Sequence, residues 1–337
     1  MEIYKRLIFI LLAGLASLFA SMIIAPAVIG LMRRIKAGQP ILKYLDNHGG
    51  KSGTPTMGGF IFIIPAVIAG VYFGGLALAA ALTVSAYGLI GFLDDFIKVR
   101  YKKNQGLTAL QKLVGQLGAA VIVSWFAYKN QWVGDVIKIP FTGIEIKLGI
   151  WFLALSVFMF LATVNSVNLT DGLDGLAGTT GFVVMLALLA SCVVYYFEAD
   201  YYGEAGRARE LYGLAGFAAV CAFSLVGFLW HNASPARIFM GDTGALALGG
   251  AVCCAAVFMR NPLLIAIICA VYVWSSLSVI LQVAGYKLTG RRLFKIAPYH
   301  HHLERGGMSE GRIATVYAAA TVAASLAGIV SVLMNVQ

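Results

Sequence analysis

The chain has 337 residues, 60% of them hydrophobic and only 12% charged, with 25 Lys/Arg against 15 Asp/Glu. A soluble domain carries roughly 25% charged residues, so this composition excludes an ordinary soluble protein. The missing charge reflects a surface that faces lipid, and the chain is read as an all-α, polytopic membrane protein, one transmembrane domain over 1–337.

A spanning helix needs roughly 20 apolar residues. Ten segments meet that need: 8–32, 57–73, 75–93, 113–128, 149–165, 175–196, 211–230, 243–260, 262–285 and 313–334. The first is too long for the apolar core of a signal peptide and is followed by similar runs, so it counts as a span. Pro26 and Pro65 fall inside the first two spans, where kinks are expected. Between the fourth and fifth spans, residues 129–148 alternate apolar and polar around a Thr142-Gly143 turn, a small β-hairpin signal. The acidic stretch 197–210 gives no reading. All five cysteines lie in apolar segments without metal-site or disulfide spacing and read as small buried hydrophobes.

Loops 33–56, 94–112, 166–174, 231–242 and 286–312 share one side and hold 17 Lys/Arg against 8 Asp/Glu; the other side holds 8 against 7. Positive charge marks the cytoplasmic side. An even number of spans then leaves both termini outside. The Lys and Arg residues are assigned to topology by default, and no nucleic-acid partner is expected.

Five acids sit at the cytoplasmic membrane border: Asp94, Asp95, Asp171, Asp174 and Asp242. None lies at mid-depth, where an ion-coupled transporter keeps its ionisable groups. Asp94 and Asp95 end the third span, and Lys98 shares their helical face. Two adjacent carboxylates repel unless a cation or a proton relieves them. The trio is either a solvated helix end or a magnesium or general-base site.

The stretch from Asn165 through Gly175 packs Asn165, Asn168, Asp171, Gly172, Asp174 and Gly175 between two apolar spans. Asn165 and Asn168 share a helical face, as do Asp171 and Asp174 if the turn stays helical. Capping explains one or two such residues, not four. Asp242 precedes the eighth span, where an N-cap is the simple reading. Its Asp-Thr-Gly string resembles an aspartic protease, but that chemistry needs a second carboxylate in a matching setting. His300-His301-His302 are poorly spaced for one zinc. Amid Lys287, Arg291, Arg292, Lys295 and Arg305 they suit an anionic ligand. Acids and bases on one face suggest a phosphate ligand with a divalent metal, since Mg²⁺ is held by one or two carboxylates plus phosphate oxygens.

These motifs, Gly53 through Gly59, Asp94-Asp95 with Lys98, the Asn165–Gly175 stretch, Asn232 with Pro235 through Gly244, and Pro298 through Glu304, run over most of the chain. In that order they resemble the phospho-N-acetylmuramoyl-pentapeptide transferases, a branch of the polyprenyl-phosphate N-acetylhexosamine-1-phosphate transferase superfamily. The triple histidine in Pro-x-His-His-His-x-Glu favours this branch over transferases of N-acetylglucosamine 1-phosphate. Ala245 stands where many relatives carry Ser, and His231 where an aromatic is common.

The resemblance implies a ten-helix bundle with a cytoplasmic active site in the bacterial plasma membrane, Mg²⁺, and a homodimer. It implies transfer of phospho-N-acetylmuramoyl-pentapeptide from its UDP-linked donor to undecaprenyl phosphate, giving lipid I and UMP. Carried over by residue, the catalytic set is Asp94, Asp95, Asp242, Asn168, Asp171, Lys112 and His301, with Asp242 on the metal. The substrate-binding set is Lys51, Thr54, Lys98, Asn165, Leu169, Gly172, Asp174, Asn232, Phe239, His300 and His302. Leu169, Gly172 and Asp174 would form the uridine pocket, with Phe239 stacking on the base. The prenyl tail would lie near the ninth span.

Overall fold

The computed structural model describes residues 2–35, 37, 53–101 and 105–336. Among them the chain forms twelve α-helices and one two-stranded sheet. In order these are α1 (Glu2–Arg34), α2 (Phe60–Phe73), α3 (Gly75–Tyr101), α4 (Ala109–Lys129), β1 (Val136–Lys138), β2 (Glu145–Lys147), α5 (Trp151–Thr170), α6 (Leu176–Tyr201) and α7 (Ala205–Asn232). There follow α8 (Gly241–Phe258), α9 (Leu264–Ile268), α10 (Ala270–Thr289), α11 (Tyr299–Glu304) and α12 (Glu310–Met334).

Eight of these helices are long and apolar enough to cross a membrane: α1, α3 to α8, and α12. The two other expected spans are present as helices of different form. The second is α2, only 14 residues long. The ninth is not continuous: it breaks at Cys269 into the five-residue α9 and the 20-residue α10. An unbroken apolar run carries no mark of where its helix turns. The stretch 197–210 proves to be the end of α6, a short turn and the start of α7, so both helices overrun their expected limits. Helices α1 and α2 continue through Pro26 and Pro65.

Apolar residues cover the lipid-facing sides as well as the core, as in spanning helices generally. Ile8, Leu12 and Ile23 of α1, Ile68 of α2 and Ile122 of α4 are all more than half exposed. The centre of the bundle is α8, rich in Gly, Ala and Cys, and every residue in it except Asp242 is buried. Small side chains let α3 and α5 approach it closely. All five cysteines are free and buried.

The hairpin forms as expected, with Val136, Ile137 and Lys138 paired to Lys147, Ile146 and Glu145. Its turn is closed by the Ile139 N–H donating to Ile144 O at 2.9 Å and by the Thr142 hydroxyl donating to Ile139 O at 3.0 Å. Three helix ends hold the hairpin down. The Lys138 ammonium donates to both carboxylate oxygens of Glu198 on α6, at 2.8 and 2.9 Å, and lies 4.4 Å over the Tyr195 ring. Its backbone N–H donates to Arg260 O, just past α8, at 2.7 Å. From α12, Ser331 and Asn335 accept the N–H groups of Phe141 and Gly143 at 3.1 Å each.

Candidate active site

The site lies at the opposite ends of these helices, where α3 meets the start of α8. Gly91 makes the meeting possible: a Cβ there would stand within 2.1 Å of the Asp242 carbonyl oxygen. With no side chain in the way, the first turn of α8 rests directly on α3. The free N–H groups of that turn need acceptors, and α3 supplies one. Asp95, fully buried, accepts the N–H of Asp242 at 3.3 Å and, on its other oxygen, the N–H and hydroxyl of Thr243 at 3.0 and 2.7 Å. The N-cap reading of Asp242 therefore fails. Asp95 satisfies the helix start, and the Asp242 side chain is released for other partners.

Those partners come from three helices. The Lys98 and Lys112 ammoniums both donate to Asp242 Oδ2, at 3.0 and 2.8 Å, and the Asn168 amide donates to Oδ1 at 2.8 Å. Lys98 also pairs with Asp94 at 2.6 Å, as its place one helical turn further on allows. The other Asp94 oxygen accepts the Leu107 N–H at 2.9 Å, which ties the segment before α4 to α3. Lys112 further reaches Asn168 Oδ1 at 3.5 Å. Oxygens of Asp94, Asp95 and Asp242 lie within 4.8 Å of one another. Asp94 and Asp242 thus share two ammoniums in a half-buried space, with the Asp95 carboxylate beside them. Such a surplus of negative oxygen suits a divalent cation of the hard, oxygen-seeking kind.

Beside this cluster α5 ends at Thr170, and the turn does not stay helical as one reading of the sequence required. Asp171 caps the helix at φ −77°, ψ 56°, and Gly175 takes the left-handed conformation at φ 74°. Burial, with Asp242, Asp95 and Asp174 near it, holds the Asp171 carboxyl well above the usual carboxylate range. Asp174 is buried, and its Oδ2 accepts the Ala236 N–H at 3.0 Å. Asn232, also buried, accepts the Gly175 N–H at 3.1 Å and donates to Ile238 O at 2.9 Å. Glu310, at the start of α12, accepts the Asp174 N–H at 3.1 Å. The turn is thus a rigid floor clamped from α7 and α12, with Gly172 exposed on it.

The three histidines divide their work. His300 is buried, and His301 is half-buried; a Cβ on Gly172 would stand 2.3 Å from Nε2 of the first and 2.9 Å from Nε2 of the second. Both rings therefore close over the floor, which only a glycine permits. Burial, with the His301 ring beside it, pushes the His300 imidazole down to about 3. His301 Nδ1 lies 2.8 Å from Glu304 Oε2. His302 points away: its Nδ1 accepts the Lys295 N–H at 3.0 Å, and its ring stacks on Tyr299 beside Phe294. It fastens the loop before α11.

Of the expected site residues, Asp94, Asp95, Lys98, Lys112, Asn168, Asp171 and Asp242 come together. Gly172, Asp174, Asn232, His300 and His301 form the adjoining floor and its cover. Asn165 stands one turn back on α5 and exchanges amide hydrogen bonds with Gln116 of α4, at 2.7 and 3.4 Å, so it braces α4 against α5. Phe239 is half-buried and joined through its N–H to Pro55 O at 2.8 Å, which brings the segment of Thr54 to the edge of the site. Leu169 is half-buried at the end of α5. Lys51 lies outside the described residues. Sequence reasoning missed Gly91, Gln116, Glu304 and Glu310. Only Glu304 carried a signal, its place three residues after His301 on one helical face.

A family model described as glycosyl transferase family 4 matches residues 77–260, from α3 to the end of α8. The chain is 40% identical over 329 residues to a phospho-N-acetylmuramoyl-pentapeptide-transferase of Clostridium perfringens strain SM101, covering 96% of this chain and 97% of that one. The same identity holds over 327 residues with the protein of that name from Clostridium novyi strain NT (95% of each chain). It holds over 328 residues with that from Desulfitobacterium hafniense strain DSM 10664 / DCB-2 (96% and 97%). The chain belongs to glycosyl transferase family 4 and, within it, to the phospho-N-acetylmuramoyl-pentapeptide-transferase family.

Proposed function

We propose that the protein transfers phospho-N-acetylmuramoyl-pentapeptide from its UDP-linked donor to undecaprenyl phosphate, releasing UMP and leaving lipid I in the membrane. The observation that carries this reading is Asp242. It is the one residue of α8 that is not buried, and it is surrounded by Lys98, Lys112 and Asn168. Both substrates are anionic phosphates, so the site must gather negative charge and hold it in line.

The donor set fits Mg²⁺, with Asp242, and Asp94 beside it, as the carboxylates that would hold it. A metal held there would supply positive charge against the diphosphate. Lys98 and Lys112 each have an ammonium within reach of an incoming phosphate, at present paired to acids. Asn168 fixes one oxygen of Asp242, and Asp95 fixes its backbone. The floor of Gly172 and Asp174, with Leu169, Asn232 and Phe239 around it and Thr54 at its edge, would seat the uridine, while Lys51 and Lys112 would hold phosphates or the sugar side. His300 and His301 would cover the phosphate or sugar side, with His302 supporting them.

No general base is needed. A phosphate monoester with a second pKa near about 6 is already a nucleophilic dianion at neutral pH. Undecaprenyl phosphate therefore attacks the donor directly, in preference to a covalent aspartyl-phosphate route. The excess of Lys/Arg on the side carrying the site supports a cytoplasmic active site in the bacterial plasma membrane, with both termini outside. The whole chain acts as one transmembrane domain and, by the family resemblance, as a homodimer.

Release of UMP from purified protein given both substrates and Mg²⁺ tests the reading. No release, or equal use of UDP-N-acetylglucosamine as donor, overturns it. Asp94→Asn tests the route. Under direct attack no exchange of UMP into the UDP-linked donor occurs without lipid phosphate in either protein. Exchange in the wild type that vanishes in Asp94→Asn would instead establish a covalent intermediate on Asp94.

A further inference from the structure

His301 and His302 are neighbours in sequence, yet their partners demand opposite protonation. A carboxylate only accepts hydrogen bonds. Glu304 Oε2, 2.8 Å from His301 Nδ1, therefore requires the proton of that ring to sit on Nδ1. A backbone N–H only donates, so the Lys295 N–H, 3.0 Å from His302 Nδ1, requires the proton of that second ring to sit on Nε2. The aromatic packing of His302 against Phe294 and Tyr299 marks it as a fastening of the loop. His301 has a different outlook. Its Nε2 faces the exposed Gly172 of the floor, and its side chain and that of Glu304 retain 13% and 12% exposure.

We infer that Glu304 is a positioning residue for the reaction, holding the His301 ring with Nδ1–H toward its own carboxylate and Nε2 toward the Gly172 floor. The inference rests on the function proposed above. The two residues are three apart on α11, a spacing that puts them on one face of the helix. A carboxylate behind an imidazole fixes the tautomer and the orientation of the ring, and supplies counter-charge when the far nitrogen meets an anion. The diphosphate of a nucleotide-sugar is such an anion. Glu304 itself need not touch substrate; it acts through His301.

The effect should fall on turnover more than on donor binding. Glu304→Ala is expected to lower kcat by about 10–100-fold, the range for removing a carboxylate that orients a functional histidine, with the KM for the UDP-linked donor changed far less. Glu304→Gln keeps an acceptor of the same shape and should lose less. In a His301→Gln background, Glu304→Ala should cost no more than about twofold further, because the group it serves is gone. A purely structural role would cost the same in both backgrounds and lower the melting temperature in detergent.

Histidine-selective ¹⁵N spectra of the wild-type protein test the geometry without any variant of Glu304. The His301 signals, assigned by their loss in His301→Gln, should show a protonated Nδ1. A proton on Nε2 alone overturns the inference. So does wild-type kcat in a stably folded Glu304→Ala variant, or an equal cost in both backgrounds. If Glu304→Ala fails to fold, the Gln variant and the spectra decide. A wild-type protein that releases no UMP overturns the proposed function instead, and the spectra still judge the placement of the ring.

Discussion

The two ends of the helix bundle each bury charge, and they do so by different rules. At the hairpin end, Lys138 is 3% exposed and is satisfied within the protein: Glu198 takes its ammonium on both oxygens, the exposed Glu145 lies 3.8 Å away, and the Tyr195 ring lies beneath it. Even the Tyr195 hydroxyl is used, accepting from Asn261 at 2.9 Å. At the other end, three carboxylates crowd beside two lysines: Asp94 and Asp242 take the ammoniums, Asp242 Oδ2 accepting from both, and Asp95 stands next to them. A matched pair has little left to offer a ligand and serves the fold. A cluster with more carboxylates than ammoniums keeps oxygens suited to a divalent cation.

The sharpest way to break this contrast is Asp242→Asn. If the over-supplied end is catalytic, Mg²⁺-dependent UMP release should fall by about 10³-fold or more, as for loss of a central electrostatic group; unchanged turnover would sink the metal assignment. The matched end should behave in the opposite way. Lys138→Met leaves the half-buried Glu198 without its cation and should cost about 3 kcal/mol of stability, read as a lower melting temperature in detergent. Turnover of the surviving fold should stay at the wild-type level, and Lys138→Met with Glu198→Leu should recover most of the loss. A collapse of kcat with an unchanged melting temperature would erase the distinction.

A smaller effect probes the floor. Gly172→Ala puts a Cβ against His300 and His301, so the rings must shift, and the KM for the donor should rise roughly tenfold, about 1.4 kcal/mol. Melting should change little, since Gly172 is exposed. The smallest effect is one of pH. The His300 ring takes a proton only at about 3 in the folded protein against 6.5 when free, so it stays neutral where the unfolded chain is already charged. Its contribution is present above 6.5 and is lost as pH falls from 6.5 toward 3. A fall in melting temperature over that window, flattened in His300→Gln, would show it.

Much of this was legible in the residues because lipid leaves few choices. A chain that crosses a bilayer must bury its backbone in long apolar helices, and so the ten segments could be counted. The hairpin was legible from alternation around Thr142-Gly143. What escaped depended on contacts between distant elements. Asp95 reads like its neighbour Asp94, and only the crossing of α3 with α8 at Gly91 makes it a helix cap rather than a second free carboxylate. Asn165 looks like a partner of Asn168, but one helical turn is enough to hand it to Gln116. The break at Cys269 has no local signature, since the residues on both sides are equally apolar. The histidines read as one cluster, and their separate orientations emerged only with Glu304, Lys295 and Gly172 in place.

Helix α12 is made late, and both ends of it close contacts begun far upstream. Glu310 at its start reaches Asp174 across 136 residues, while Ser331 and Asn335 near its end reach the hairpin across 190 and 192. During synthesis from the N-terminus, the floor and the hairpin must therefore wait, already inserted, for a helix the ribosome has yet to deliver. The acids and lysines of the cluster are by then complete, since Asp242 is the last of them to emerge. A nascent chain stopped before α12 would carry the whole cluster of acids and lysines, but its floor at Gly172 and Asp174 would be held from the α7 side alone.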